Sequence, residues 1–264
     1  MTPVEIVRGA GPLVLGMPHG GTWLPDAVRG ALNDNGRLLA DTDWHIARLY
    51  ENLLPGATVV RATFHRYVVD ANRDPSGASL YPGQNTTGLV PLTDFDGVPI
   101  WDRAPDAAEV EARRAAFHAP YHAALAAEME RVRAANGVAV LYDCHSIRSE
   151  IPFLFPRKLP DFNIGTDGGR TCDPRIAGTA EAICNAAVPT VVDGRFRGGW
   201  TTRHYGRPTQ GWHAIQMELA QSLYLATERP PFAWDAARAA RLRPVLAEVL
   251  AAIETIALSM GEPQ

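Results

Sequence analysis

Continuous apolar runs alternate with amphipathic stretches along the chain, and several of the runs end abruptly in polar residues. Runs of this kind are typical of strands that are covered on both faces of a sheet. They lie at 12–17, 57–63, 66–75, 188–192 and 213–220, and within 138–150. The run within 138–150, VAVLYDCHSIRSE, is the clearest, because its Val, Leu and Ala residues give way to a polar segment that begins at Asp143.

Apolar positions recur at helical spacing in four stretches between these runs, which predicts four helical segments. These segments are 42 to about 53, 105–135, 173–186 and 234–259. The first should begin at Thr42, with Asp41 or Thr42 as its cap and Asp43 in its first turn. Pro120 should kink or split the second, because proline cannot donate a helical hydrogen bond.

Three further segments, 76–104, 150–172 and 196–211, are rich in Gly, Pro and polar residues, and their sequence predicts irregular structure. The first is expected to be a long ordered loop over the ligand face of the sheet. Strands alternate with helices, and no repeat or change in composition marks a boundary. The pattern therefore predicts an α/β fold, a three-layer α/β/α sandwich, formed as a single domain by residues 1–264.

Composition narrows the class of protein. The net charge is -4 and Lys158 is the only lysine, so the sequence lacks the basic surface of a nucleic-acid-binding protein. No unbroken apolar stretch approaches the ~18 residues that would span a membrane, and no secretory signal is visible. Three cysteines make a disulfide framework improbable. These features indicate a soluble cytoplasmic protein without a nucleic-acid or membrane partner.

Two histidines and a glutamate, His19, His145 and Glu218, lie at the ends of predicted strands. Ligands of open α/β sheets bind just beyond the carboxyl ends of the strands, and zinc hydrolases use three His, Asp or Glu ligands. His19 and His145 are therefore candidate metal ligands, although a single histidine at a strand end is more often an ordinary polar residue. Asp43 is the preferred third ligand. Asp143 competes, but a carboxylate two residues from His145 more often orients the imidazole.

Several other polar residues have a candidate functional role and also an ordinary structural explanation. Glu218 stands in an apolar strand, where burial would raise its pKa and suit it to act as a general base, although an ion pair with an arginine is equally plausible. Asn72 and Arg73 could grip a carboxylate, and Arg66 could stabilise an oxyanion; an Asn-Arg pair is most often only a turn. Two loop arginines, Arg148 and Arg203, are further candidates for the substrate, and a solvated or ion-paired side chain is the default for both.

Cys144 offers a different chemistry. Beside His145, its thiolate could act as the nucleophile of a metal-free hydrolase. Adjacent residues of a strand point to opposite faces, however, so Cys144 is expected to pack into the core.

The sequence resembles the N-formylglutamate amidohydrolases over essentially its whole length. The segments that carry the resemblance are PHGG (18–21), DTDWH (41–45), RYVVDANRDP (66–75), LYPGQNTTGLVP (80–91), DCHSIRSEIP (143–152), GRFRGGWTTRHYGRPTQGWHAIQMELAQ (194–221) and PFAW (231–234). The resemblance implies a more distant kinship with zinc carboxypeptidases and aspartoacylase. It therefore implies their phosphorylase/hydrolase-like fold, which has a mixed central sheet between helices.

The resemblance also implies roles for individual residues. His19 and His145 match zinc-binding histidines, Asn72 and Arg73 match a carboxylate-gripping pair, and Glu218 matches the catalytic base. Arg66 resembles an arginine that polarises the scissile carbonyl, although its spacing differs. The relatives have a ligand glutamate three residues after the first histidine, where this chain has Thr22; Asp43 is proposed in its place.

The function that the resemblance implies is metal-dependent cleavage of N-formyl-L-glutamate to formate and L-glutamate in histidine degradation. The metal is expected to be zinc. Arg148 or Arg203 would hold the second carboxylate of the substrate. The alternatives are a related N-acyl amino acid deacylase or carboxypeptidase, the cysteine hydrolase, and a non-catalytic carboxylate-binding protein. The oligomeric state is left open by the sequence.

Overall fold

A seven-stranded mixed sheet forms the centre of the molecule in the computed structural model, which describes residues 2–79 and 83–261. The strands are β1 (Val4–Val7), β2 (Leu13–Met17), β3 (Thr58–Ala62), β4 (Ala139–Ile147), β5 (Phe162–Gly165), β6 (Thr190–Val192) and β7 (Trp212–Ala220). Their order is β1-β3-β2-β4-β7-β5-β6. β3, β2, β4 and β7 run parallel, whereas β1 is antiparallel to β3 and β5 is antiparallel to β7.

Helices cover both faces of the sheet. They are α1 (Asp26–Ala31), α2 (Asp34–Arg37), α3 (Ile46–Tyr50), α4 (Ala107–Arg113), α5 (Ala119–Asn136), α6 (Pro174–Ala187), α7 (Trp200–Tyr205) and α8 (Ala236–Gly261). One apolar core lies between the sheet and α3, α6 and α8, and a second lies between the opposite face and α1, α5 and α7. The α/β class with a mixed sheet between helices is thus confirmed. The specific kinship with zinc carboxypeptidases stays a prediction.

The second predicted helical segment is divided, as the proline indicated. α4 begins after Asp106, whose side chain accepts a hydrogen bond from the Glu109 N–H in a capping box. A π-helical turn, Arg114–His118, follows and leads into α5, in which Pro120 is the second residue. At this position the proline lacks only an N–H that would have no partner inside α5.

The helix expected from Thr42 begins later, at Ile46, so the placement of Asp43 in a first helical turn was wrong. Asp43 lies in the preceding loop, where its N–H donates to the His19 carbonyl at 3.1 Å. The Asp41 carboxylate accepts hydrogen bonds from the Tyr67 hydroxyl and the Phe95 N–H, and therefore does not cap the helix. The Asp41 side chain, which local sequence assigned to helix capping, thus makes tertiary contacts instead.

The predicted strand within 66–75 is also wrong, since this segment forms turns. The Val68 N–H donates to the His65 carbonyl and the Arg73 N–H to the Asp70 carbonyl. Tyr67 and Val68 are nevertheless fully buried, and a short buried apolar run is compatible with either conformation.

The segments predicted to be irregular are partly regular. β5 lies within 150–172, and α7 lies within 196–211. β5 is only four residues long and contains the buried Asn163, so it carries little periodic signal. Residues 83–104 form the expected loop without helix or strand, whereas 80–82 of the predicted loop and of its LYPGQNTTGLVP segment lie outside the described residues.

By length and composition, α8 could cross a membrane, and it is the one such helix within 2–79 and 83–261. One side of α8, which includes Leu246, Val249 and Ile253, is buried against the sheet and α6. Helices that pack on the core of globular proteins can have the same length and composition, so this feature is weak evidence for a membrane span.

Candidate active site

Three buried side chains converge beyond the end of β2. β2 pairs with β4 only as far as Asp143, so the chain leaves the sheet at Pro18 beside the longer β4 and places His19 next to His145. Their Nδ1 atoms are 3.2 Å apart. The Asp43 Oδ2 atom lies 3.3 Å from Nδ1 of His145 and 4.0 Å from Nδ1 of His19. One ligand atom from each of these residues thus faces a common centre, within 4.8 Å of the others.

A carboxylate holds the other nitrogen of each imidazole. The Nε2 atom of His19 lies 2.7 Å from Oδ1 of Asp70, and that of His145 lies 3.1 Å from Oδ2 of Asp143. Metal-binding histidines in proteins usually make this contact, which fixes the ring and makes the ligating nitrogen more basic. Asp43 is positioned in turn by the Ser146 N–H, which donates to its Oδ2 at 3.0 Å. The structure therefore gives Asp43 the geometry of a ligand and Asp143 that of an orienting residue.

The donor atoms at this centre suit a bound cation. Four carboxylates, those of Asp43, Asp70, Asp143 and Glu218, are buried here together with the guanidinium of Arg66. Two imidazoles and a carboxylate are also a donor set typical of catalytic zinc. The residues present therefore fit a divalent metal ion.

The two histidines differ in their electrostatic environment. Burial, supported by the positive charge of Arg66, lowers the pKa of His19 and favours the neutral ring that a metal ligand requires. Burial also acts to lower the pKa of His145, but the Asp143 and Asp43 carboxylates outweigh it and hold that pKa well above its usual range. The two carboxylates therefore favour the cationic form of the His145 ring when no metal is bound.

Glu218 lies beside His145 because β4 and β7 are in register. His145 is paired with Glu218 and Asp143 with Gln216, which places all four side chains on one face of the sheet. Burial raises the pKa of Glu218 to about 8. Its Oε2 lies 3.3 Å from Nε2 of Gln216, and the Gln216 Oε1 accepts from the Gly199 N–H. A buried carboxyl with this pKa can both accept and return a proton near neutral pH.

A cavity opens onto this centre. Its lining includes both histidines, Asp43 and Glu218, together with three arginines, which are Arg66, Arg73 and Arg195. Apolar side chains also line it, among them Phe95, Ile147, Leu154 and Phe196. The cavity therefore combines proton-transfer groups with walls that are partly cationic and partly apolar. Such walls suit an anion that also carries apolar groups.

Arg66 and Arg73 both contact Asp70. Nη2 of Arg66 donates to Oδ2 of Asp70 at 2.6 Å, and Nη1 of Arg73 lies 3.8 Å from the same oxygen. Arg73 also donates to the carbonyl and hydroxyl oxygens of Thr87. Asn72 lines the cavity, but its Oδ1 accepts from the Thr201 N–H and its Nδ2 lies 3.2 Å from Nε2 of His145. Because Nε2 of His145 donates to the Asp143 carboxylate, the Asn72 Nδ2 lies near this nitrogen without a hydrogen bond to it, and the Thr201 N–H orients the Asn72 amide.

Two histidines of the adjacent helical segment hold the backbone on either side of Asn72. Nε2 of His118, in the π-helical turn, lies 3.0 Å from the Arg73 carbonyl oxygen. Nε2 of His122 lies 2.7 Å from the Ala71 carbonyl oxygen. Because a carbonyl can only accept, each imidazole donates from Nε2.

Arg148 and Arg203 occupy different surroundings from those predicted. Neither is among the described residues that line the cavity. Arg148 forms an ion pair with Asp96 at 2.9 Å, and Arg203 lies 3.4 Å from the Asp167 carboxylate. Arg195 lines the cavity in their stead.

Cys144 and Thr22 lie away from this centre. Cys144 is fully buried in the core on the opposite face of β4 from His145, and burial raises the pKa of its thiol well above its usual range. This environment disfavours the thiolate that a cysteine hydrolase needs. Thr22 is exposed, and the carboxylate of Asp43, from a separate segment, completes the group instead.

Sequence reasoning missed three contributors, namely Asp70, Gln216 and Arg195. Gln216 could have been found, since it lies two residues before Glu218 in a strand and thus on the same face. Asp70 precedes Asn72 by the same interval, but the segment was wrongly assigned to a strand. The position of Arg195 depends on long-range loop packing and left no local signal.

Comparison with known proteins places these features in a family. The model of the family described as N-formylglutamate amidohydrolase matches residues 11–225. The N-formylglutamate deformylase of Pseudomonas aeruginosa is 48% identical over 250 residues, which is 92% of both chains. That of Pseudomonas putida is 45% identical over 251 residues, or 93% of both chains.

Solved structures show the same fold. The crystal structure of N-formylglutamate amidohydrolase from Ralstonia eutropha JMP134 superposes with a TM-score of 0.79 at 28% identity, covering 96% of this chain and 97% of the other. A structure from Agrobacterium tumefaciens has a TM-score of 0.73 at 21% identity, covering 98% and 96%, and supports the fold alone.

Proposed function

Because the chain belongs to the N-formylglutamate amidohydrolase family, we propose that it hydrolyses N-formyl-L-glutamate to formate and L-glutamate. The family match confirms the predicted family and the predicted class of enzyme, a hydrolase of linear amides. The observation that supports the specific reaction is the buried group of His19, Asp43 and His145 beside Glu218, in a cavity lined by arginines.

His19, Asp43 and His145 would hold a divalent ion, which we expect to be zinc. When bound, such an ion supplies Lewis acidity and lowers the pKa of water at the site. The protein's own contribution is to fix the three donors: Asp70 and Asp143 orient the imidazoles, and the Ser146 N–H orients the Asp43 carboxylate.

Glu218 is proposed to move the proton. Its carboxylate accepts a proton from the attacking water and returns it to the departing nitrogen of glutamate. Its raised pKa of about 8 suits both transfers, because the protonated and ionised forms are then close in free energy near neutral pH. Gln216 holds the carboxylate in place from the same face of β7.

Arg66 is proposed to stabilise the negative charge that develops on the formyl oxygen. Its Nη2 is occupied by Asp70, whereas its buried Nε has no hydrogen-bond partner among the described residues. A buried donor of this kind supports a role in binding an oxyanion, for which an aligned donor is needed before the reaction begins.

Arg73, with the Asn72 amide, is proposed to bind the α-carboxylate of the substrate. Arg73 is partly buried, lines the cavity and is linked through Asp70 to His19. This places a cation near the metal group, as an α-carboxylate next to the scissile amide requires. The proposed physiological role is in histidine degradation in the cytoplasm.

Turnover of N-formyl-L-glutamate by the purified protein tests this function. Activity should be lost on chelation, return with zinc, and be absent in His145→Ala. The matched control is His204→Ala, because His204 lies on α7 and does not line the cavity. Absence of turnover in zinc-replete wild type would refute the substrate assignment. A panel of N-acyl amino acids and peptides would then separate a deacylase or carboxypeptidase from a binding protein.

A further inference from the structure

Phe95 forms the part of the cavity wall that lies beside Arg66. The guanidinium carbon of Arg66 lies 4.7 Å from the centre of the Phe95 ring. Both side chains are buried, and both line the cavity together with His19, Asp43 and Glu218. A substrate group that reaches the guanidinium of Arg66 from the cavity therefore also comes close to the Phe95 ring.

Two aspartates hold the backbone that carries Phe95. The Phe95 N–H donates to the buried Asp41 carboxylate, at 3.0 Å to the nearer oxygen. The Asp94 carboxylate accepts from the Asp96 N–H at 3.0 Å and from the Val98 N–H at 2.9 Å, which closes the turn around Phe95. Phe95 is thus fixed in place, although it belongs to a long loop.

The Phe95 ring also packs within a small apolar cluster. The other buried members of this cluster are Ile147, Ile151, Phe155 and Leu159. Packed interiors leave little room for a side chain to move aside. The ring therefore forms a firm wall on this side of the cavity.

The acyl part of the substrate is the group that meets this wall in the proposed reaction. Arg66 is proposed to bind the carbonyl oxygen of the scissile amide, and the acyl substituent is attached to the same carbon as that oxygen. A formyl group carries a hydrogen atom there, whereas an acetyl group carries a methyl group. A firm aromatic wall accommodates the hydrogen atom more readily, because packed side chains resist added volume.

We propose that Phe95 limits the size of the acyl substituent and so determines the preference for a formyl over an acetyl group. This inference rests on the proposed deformylase function and on the role proposed there for Arg66. A single methylene group changes the discrimination by an apolar pocket by about 10- to 200-fold, which sets the size of the expected effect.

The test compares N-formyl-L-glutamate with N-acetyl-L-glutamate in zinc-replete protein. In Phe95→Ala, the ratio of kcat/KM for the acetyl substrate to kcat/KM for the formyl substrate should rise by about 10- to 100-fold. Phe95→Leu fills more of the space and should raise this ratio less. Both substrates are measured with the same protein, so a general loss of activity through a displaced Arg66 cancels in the ratio.

Phe155→Ala is the matched control, because Phe155 is buried in the same cluster and is not among the described residues that line the cavity. It should keep the ratio of the wild type. The inference is overturned, while the deformylase function stands, if folded Phe95→Ala and Phe95→Leu keep the wild-type ratio, or if Phe155→Ala raises it equally. A wild type that does not hydrolyse N-formyl-L-glutamate refutes the proposed function and the inference with it.

Discussion

Asp70 connects the group of His19, Asp43 and His145 to the arginines of the cavity, and replacing Asp70 by asparagine tests that arrangement. Oδ1 of Asp70 contacts Nε2 of His19 at 2.7 Å and accepts from the Asn72 N–H at 2.8 Å, while Oδ2 accepts from Arg66 at 2.6 Å. Asp70 is fully buried. Burial acts to raise its pKa, but Arg66 and Arg73 outweigh it and hold that pKa well below its usual range. Asp70 is therefore ionised in the folded protein.

Asp70→Asn keeps the shape of the side chain but removes its charge. Arg66 would remain buried without its ionic partner, which should lower the free energy of unfolding by about 3–5 kcal/mol. His19 would lose the carboxylate that orients it, which typically weakens metal binding by about 10- to 100-fold. Urea denaturation of the metal-free protein measures the first effect, and competition for zinc with a chelator measures the second.

Asp74→Asn is the matched control, because the Asp74 carboxylate accepts from the Ser76 N–H within the same turn, and its replacement should leave both quantities unchanged. Wild-type zinc affinity in a folded Asp70→Asn protein would refute the reasoning. It would show that the contact between Asp70 and His19 does not orient a metal ligand.

Substitutions at three further positions test separate parts of the proposed function. Glu218→Gln should lower kcat by about 10²- to 10⁴-fold while bound zinc is retained, and unchanged kcat would remove Glu218 from proton transfer. Cys144→Ala should leave turnover intact, and the buried Cys144 thiol of the native protein should resist a thiol reagent at pH 8. An inactive but folded Cys144→Ala variant would favour the cysteine hydrolase. His122→Phe leaves the Ala71 carbonyl without its donor and should raise KM about tenfold, whereas His122→Gln should recover the wild-type KM. Equal KM values in the two variants would contradict a positioning role for His122.

The convergence of the candidate metal ligands and Glu218 was largely predictable from the sequence. β2, β4 and β7 are continuous apolar runs, and in a parallel sheet their polar carboxyl ends must lie at one edge. This rule brought His19, His145 and Glu218 together without further information. Asp43 was also assigned correctly to this group, although the helix that was expected to carry it begins three residues after it. The assignment depended only on its segment following the His19 loop, which holds whether that segment is helix or loop.

The residues that depend on tertiary packing could not be predicted in the same way. β5 is short and carries Asn163, and it becomes a strand only because β7 offers a free edge in antiparallel register. The arginines show the same limit. Nothing local distinguishes Arg195 from Arg148 or Arg203, since the face on which a loop arginine lies is set by carbonyls and carboxylates distant in sequence.

The π-helical turn before α5 shows how the helical layer contributes to the site. His118, the last residue of this turn, and His122 are four residues apart and share one side of the helical segment, where the two imidazoles bind the Arg73 and Ala71 carbonyls. π-helical turns recur near functional sites in proteins. Burial lowers the pKa of His122 to about 3, so its ring is neutral at neutral pH and keeps a single donating nitrogen toward Ala71. The proposed contact of Arg73 with a substrate carboxylate therefore depends on a helical segment whose described residues do not line the cavity.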